Sequence, residues 1–242
     1  MLVIPAIDLK DARCVRLLQG DYDRLTVFSD DPAATAVRWA ASGAPLLHVV
    51  DLDGAKAGRV VNRDAVRAIC AAIPIPVELG GGIRSLDDIA TALDLGVSRV
   101  ILGTAAVEDR RFVSAAAERH GERIVVGVDA RDGYVATRGW TVTSAVRSLD
   151  LAREMAALGV RRIIYTDIHR DGTLTEPGYD STSELVDGSG AIVIASGGVS
   201  RVEHLRRLAE IGCEGAIVGR ALYTGDLDLG EALAAVSAGD AN

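Results

Sequence analysis

Three aspartates stand where an apolar strand gives way to a loop. Asp8 closes the run in IPAIDLK, Asp129 closes IVVGVD, and Asp171 follows a strand end at Thr166 in TDIHRDGT. A carboxylate at the rim of an apolar strand loses hydration, so it is costly unless it is used. Two such groups flanking one bound molecule make an acid/base pair. Asp8 and Asp129 are the first candidates, Asp171 is a third, and Thr166 would support them. Asp51 and Asp167 also end strands, and for both a loop-ordering role stands beside a chemical one.

Other chemistry is thinly supplied. His48 lies inside an apolar run and reads as core. His120 and His204 fall on helical stretches, and His169 is a lone imidazole in the Asp171 loop. The sequence holds no HExxH, CxxC or GxSxG, so neither a metal centre nor a serine-hydrolase elbow is expected. No cofactor is expected either.

Four glycine turns follow strands and precede helical patterns: Gly81 and Gly82 in LGGGIR, Gly103 with Thr104, Gly197 and Gly198 in ASGGVS, and Gly219 with Arg220. Glycine lets backbone N–H groups approach a ligand closely, and a helix start carries partial positive charge that suits an anion. A single turn of this kind is weak evidence. Two symmetric pairs imply a small molecule with a phosphate at each end. Arg16 in the first loop could meet a phosphate or another ligand oxygen. Arg138 and Trp140, in TRGW of the fifth loop, would add a cation and a platform for a flat ring.

The elements that position these groups alternate. Eight short apolar runs read as strands: Val3–Ile7, Leu46–Val50, Pro76–Leu79, Arg99–Leu102, Ile124–Val128, Arg162–Thr166, Ala191–Ala195 and Gly215–Val218. Such runs suit strands covered on both faces. Amphipathic stretches lie between them. Ser85–Leu95 sets Leu86, Ile89, Ala90 and Leu93 on one stripe, with Ser85 and Asp88 as a capping box and Gly96 as the stop.

The reading is an α/β chain folded as a single (β/α)8 TIM barrel over residues 1–242, with its site on the loops after the strands. It also repeats itself. LHVVDLDGA matches IIYTDIHRDGT, LGGGIRS matches ASGGVSR, and RVILGTAAVED matches GAIVGRALYTGD, each 116 residues on; Asp8 matches Asp129 at 121. Two half-barrels are expected, roughly 1–121 and 122–242, with a loose tail from Ser237.

Composition bounds the partners. With 49% hydrophobic and 4% aromatic residues, the core must be aliphatic. A net charge of −8 lacks the basic face that nucleic acid wants. No signal peptide or membrane-length apolar run is present, and Cys14, Cys70 and Cys213 are odd in number and scattered. A cytoplasmic monomer acting on a small molecule is expected.

Taken together, IPAIDLKDARCVRLLQGDY, HVVDLDGA, VELGGGIRS, VILGTAAVED, VGVDARDG, RGW, TDIHRDGTL, IASGGVS and AIVGRALY resemble the phosphoribosyl isomerases of histidine biosynthesis, from Leu2 to about Tyr223. The resemblance implies a two-fold repeated barrel, a substrate with two phosphoribosyl groups, and an Amadori rearrangement of an aminoaldose to an aminoketose. It implies that Asp8 takes the C2′ proton. It leaves the acid that protonates the ring oxygen open between Asp129 and Asp171, with Thr166 beside them. Trp140 matches the ring that stacks on the aminoimidazole.

Dual-substrate actinobacterial members, which also isomerise phosphoribosylanthranilate in tryptophan synthesis, tend to read RGRGW and LSGGIR. This chain reads ATRGW and has Gly80 in place of that Ser. Histidine-pathway activity is the first reading and bifunctionality the alternative. The sister cyclase, with Cys before its first Asp and Lys in its first loop, fits less well: Ala6 and Arg16 occupy those places. A non-catalytic sugar-phosphate sensor would not need the aspartates.

Overall fold

The computed structural model describes residues 1–237. Its strands are β1 (Leu2–Lys10), β2 (Arg13–Leu18), β3 (Asp21–Ser29), β4 (Leu47–Asp51), β5 (Val77–Gly80), β6 (Arg99–Leu102), β7 (Ile124–Arg131), β8 (Tyr134–Thr137), β9 (Val142–Arg147), β10 (Arg162–Asp167), β11 (Ile192–Ser196) and β12 (Gly215–Val218). Its helices are α1 (Pro32–Ala41), α2 (Leu52–Ala57), α3 (Arg63–Ala72), α4 (Leu86–Asp94), α5 (Thr104–Glu108), α6 (Arg110–His120), α7 (Ser148–Ala157), α8 (Tyr179–Gly188), α9 (Val202–Ile211), α10 (Arg220–Thr224) and α11 (Leu229–Ser237).

Eight strands close a parallel barrel in the order β1, β4, β5, β6, β7, β10, β11, β12 and back to β1. This is the expected (β/α)8 barrel. Each strand read from the sequence is present, with ends moved by a few residues. Beyond the reading are two hairpins, β2–β3 after β1 and β8–β9 after β7, and the short helices α2, α5 and α10. The outer strands of the hairpins are largely exposed, so no buried stripe marks them. The short helices span six residues or fewer, too few for a repeat to show.

Local chemistry sets the helix starts. The Ser85 hydroxyl caps α4 by accepting the Asp88 N–H at 3.1 Å. The Asp88 carboxylate reaches back to the Ser85 hydroxyl at 2.8 Å and to the Arg84 N–H at 3.1 Å, one residue before the N–H that a capping box would bind. Asp31 caps α1 ahead of Pro32, and Asp109 caps α6.

The main core lies between barrel and helices and includes Val49, Ile69, Leu79, Leu102, Val126, Leu151, Ile163 and Leu208. A second, smaller core fills the barrel with Ile4, Ala6, Leu46, Ile101, Val125, Ile164, Ile194 and Ile217. Burial pushes the Cys70 thiol up to about 11, so it is a small neutral side chain at neutral pH. Among the described residues, no helix is long and apolar enough to cross a membrane. Ser237, where looseness was expected, ends α11; the rest of that tail lies outside the described residues.

Candidate active site

The loops at the C-terminal ends of the barrel strands enclose a cavity of about 220 Å³. Most of the candidates named from the sequence border it: Asp8, Asp129, Asp171 and Thr166, the four glycine turns, and Arg16, Arg138 and Trp140 from the hairpins. The structure also brings His48 to this cavity, where the sequence read it as core. His169 is not among the lining residues; its ring turns outward to Asp132 at 3.3 Å.

The glycine turns are built alike in both halves. Gly81 has φ +106°, and a Cβ there would lie 2.2 Å from the Asp51 carbonyl oxygen. Gly197 has φ +94°, with the Asp167 carbonyl 2.7 Å from the corresponding point. No other residue type fits either place. Gly103 (φ −100°, ψ −101°) and Gly219 (φ −103°, ψ −103°) then open α5 and α10.

Asp51 and Asp167 prove to order loops. The buried Asp51 carboxylate accepts the N–H groups of Gly54, Val61 and Asn62 and the Asn62 amide. Asp167 accepts the His169 N–H at 3.1 Å. Neither borders the cavity.

The three remaining aspartates have different surroundings. The Asp8 carboxylate accepts Arg16 Nη1 at 2.9 Å, with both side chains largely buried. Arg16 also donates to the Ala6 carbonyl, and its guanidinium lies 5.5 Å from the centre of the Tyr223 ring. Arg16 Nε is buried with no partner. Asp129 is pushed up by burial; hydrogen bonds from Trp140 and Thr166 and the nearby His48 charge pull it back. Asp171 is pushed up to about 7, chiefly by burial. Arg16 opposes the rise, the charges of Asp8 and Asp129 add to it, and His48 opposes it. Both Asp129 and Asp171 are thus raised by burial, and Asp171 titrates close to neutrality.

The hairpins cover the mouth. Trp140 packs so closely on Gly20 that a Cβ at 20 would lie 2.4 Å from its ring. Arg138, Gly139 and Trp140 all have φ between +55° and +67°, a strained run for two non-glycine residues that holds the indole over the cavity. The Arg138 N–H donates to Thr104 Oγ1 at 2.9 Å, and its guanidinium reaches Glu108 on α5. On the other side the Gln19 amide donates to the His169 carbonyl, and Arg220 Nη1 donates to the Gly172 carbonyl.

A protein-family model described as "Histidine biosynthesis protein" matches residues 2–228. Similar curated proteins come from Roseiflexus sp. (strain RS-1), 58% identical over 98% of this chain and 100% of the relative, and from Chloroflexus aggregans, 58% identical over 97% of each. One from Gloeothece citriformis is 54% identical over 99% of this chain and 94% of its own. All three are named as the isomerase of 1-(5-phosphoribosyl)-5-(5-phosphoribosylamino)methylideneamino-imidazole-4-carboxamide.

Proposed function

The chain belongs to the histidine biosynthesis protein family, and from that premise we propose that it is the isomerase that converts this bis-phosphoribosyl imidazole-carboxamide from its aminoaldose to its aminoketose form. The carrying observation is the pair of matched glycine cradles on either side of three inward carboxylates. A ligand held by a phosphate at each end would present its middle to those groups.

The roles follow from the surroundings. Asp171, protonated up to about pH 7, is the general acid. It gives its proton to the furanose ring oxygen as the C1′–O bond breaks and an iminium forms, the nitrogen keeping its proton. Asp8 is the general base and takes the C2′ proton, which leaves an enolamine. Protonation at C1′ with loss of the O2′ proton then gives the ketose, and the proton count is unchanged. Asp129, joined to Trp140 and Thr166, holds the indole in place to stack on the imidazole. The phosphates rest on Gly81, Gly82, Gly103 and Thr104 at one end, and on Gly197, Gly198, Gly219 and Arg220 at the other. Arg16 meets the second. Acid/base chemistry of this kind calls for no metal or organic cofactor. All these groups come from one chain, so a monomer suffices.

The test is a steady-state assay of the purified protein with this substrate and with phosphoribosylanthranilate in parallel. Turnover of the first and none of the second is expected. No turnover of the first would end the proposal, and turnover of both would make the enzyme bifunctional. The names of the relatives carry the histidine-pathway substrate alone.

A further inference from the structure

The barrel interior holds charge that the fold does not need. In the first half, Ala6, His48, Glu78 and Arg99 stand in direct register on β1, β4, β5 and β6. In the second half the matching ladder is Gly127, Ile164, Ile194 and Gly215 on β7, β10, β11 and β12. The same architecture is therefore packed once with aliphatic residues and once with an imidazole, a carboxylate and a guanidinium. His48 Nδ1 lies 2.8 Å from Glu78 Oε1. Glu78 is fully buried, its Oε2 is 3.8 Å from Arg99 Nη1, and neither of those two atoms has a hydrogen bond. Buried ionic groups with unmet partners are commonly replaced by aliphatic side chains at no loss of stability, and the second half displays that replacement.

Of the three polar members of this ladder, His48 is the one that lines the cavity. The charged groups around it are Asp8 and Arg16 from β1 and β2, Glu78 from β5, Arg99 from β6, Asp129 from β7, and Asp171 beyond β10. Three carboxylates thus share one small space, and a proton leaving any of them adds negative charge to it. We propose that Glu78 is a positioning residue which, with Arg99 behind it, holds His48 as an imidazolium at the cavity floor, and that this fixed positive charge receives Asp171 as it ionises on giving up its proton. The proton passes from the Asp171 carboxyl to the ring oxygen of the substrate, and His48 keeps both of its own. Glu78 never meets the substrate and acts only through His48. The roles assigned to Asp171 and the substrate rest on the proposed function above.

The charge is worth most as the carboxylate forms, so its loss falls on kcat more than on KM. In Glu78→Gln, kcat is expected to fall about 10-fold with KM within about 3-fold. The basic limb of the pH–rate profile moves upward, because Asp171 loses a stabilising cation. Glu78→Asp recovers most of the rate. Copying the second half with His48→Ile and Glu78→Ile together is expected to keep or raise the melting temperature while kcat falls at least about 30-fold. An unmoved basic limb in Glu78→Gln, or a double variant that loses melting temperature but keeps kcat, would mean the ladder only packs the barrel and would overturn the inference. Absence of turnover in the wild-type enzyme strikes the proposed function instead, so the two failures read differently.

Discussion

Gly103 and Gly219 hold nearly the same backbone on opposite sides of the cavity, yet their surroundings differ. A Cβ at Gly103 would meet nothing within 4 Å; one at Gly219 would lie 2.7 Å from the Arg16 guanidinium carbon. The cause is the order of strands round the barrel. β12 pairs with β1, so the turn after β12 lies beside the β2–β3 hairpin, which brings Arg16. β6 pairs with β7, so the turn after β6 lies beside the β8–β9 hairpin, which brings Arg138 to Thr104. Each cradle is completed by the hairpin of the other half. One receives a buried guanidinium tied to Asp8, the other a backbone N–H and an exposed arginine. A repeated sequence has made two similar anchors and then distinguished them from across the seams.

The largest test of this difference is in the two matching aspartates. Asp8→Asn is expected to lower kcat by about 10³–10⁴-fold. Asp129→Asn, which mainly frees Trp140, should cost about 10–100-fold with part of the loss in KM. Equal losses in kcat alone would show that the halves share the chemistry evenly.

Next comes Asp171, which has no aspartate partner in the first half. With the acid raised to about 7, kcat/KM should fall about tenfold per pH unit above neutrality, since the ionised form cannot donate. Asp171→Asn removes that limb together with most of the rate. The same raised value has a stability consequence of opposite sense. The folded protein binds the proton more tightly than the unfolded chain, so the penalty is absent below about pH 4 and complete above about 7. Asp171→Asn should therefore be more stable than wild type by about 1–3 kcal/mol at pH 8, and by little at pH 4, in urea titrations.

A smaller effect separates the cradles directly. Gly219→Ala pushes on Arg16 and should raise KM about tenfold, whereas Gly103→Ala, with open space, should change it by less than about threefold. If the two changes cost the same, Arg16 does not distinguish the anchors. Trp140→Phe, which keeps an aromatic face but loses the bond to Asp129, is expected to cost about three- to tenfold in kcat/KM.

Much of the site was legible in the chain because the 116-residue offset ties glycine turns to strand ends, and a barrel fixes which loops share a face. The hairpins were not, because their outer strands face solvent and carry no alternating pattern. His48 was read as core and is buried in β4, but its place on the cavity was missed for a different reason. A histidine amid HVV looks like core, and Glu78 in VEL looks like a break in a strand, until both are set against the second half. There IYT stands where HVV does and VIA where VEL does, and the positions of His48 and Glu78 are isoleucines. Aligning the halves residue by residue was the signal. The choice of acid between Asp129 and Asp171 has no trace in the sequence, because it turns on burial, neighbouring charge and hydrogen-bond partners that only the fold brings together.

The seating of Trp140 on Gly20 has a consequence for how such a chain drifts over generations. Positions 20 and 140 belong to different halves and lie far apart in sequence, but neither can change size alone. A larger residue at 20 requires the indole to leave, and its departure releases Asp129. A lineage would cross such a change only by altering both positions together, so the pair should be inherited as a unit while the solvent-facing residues around it vary.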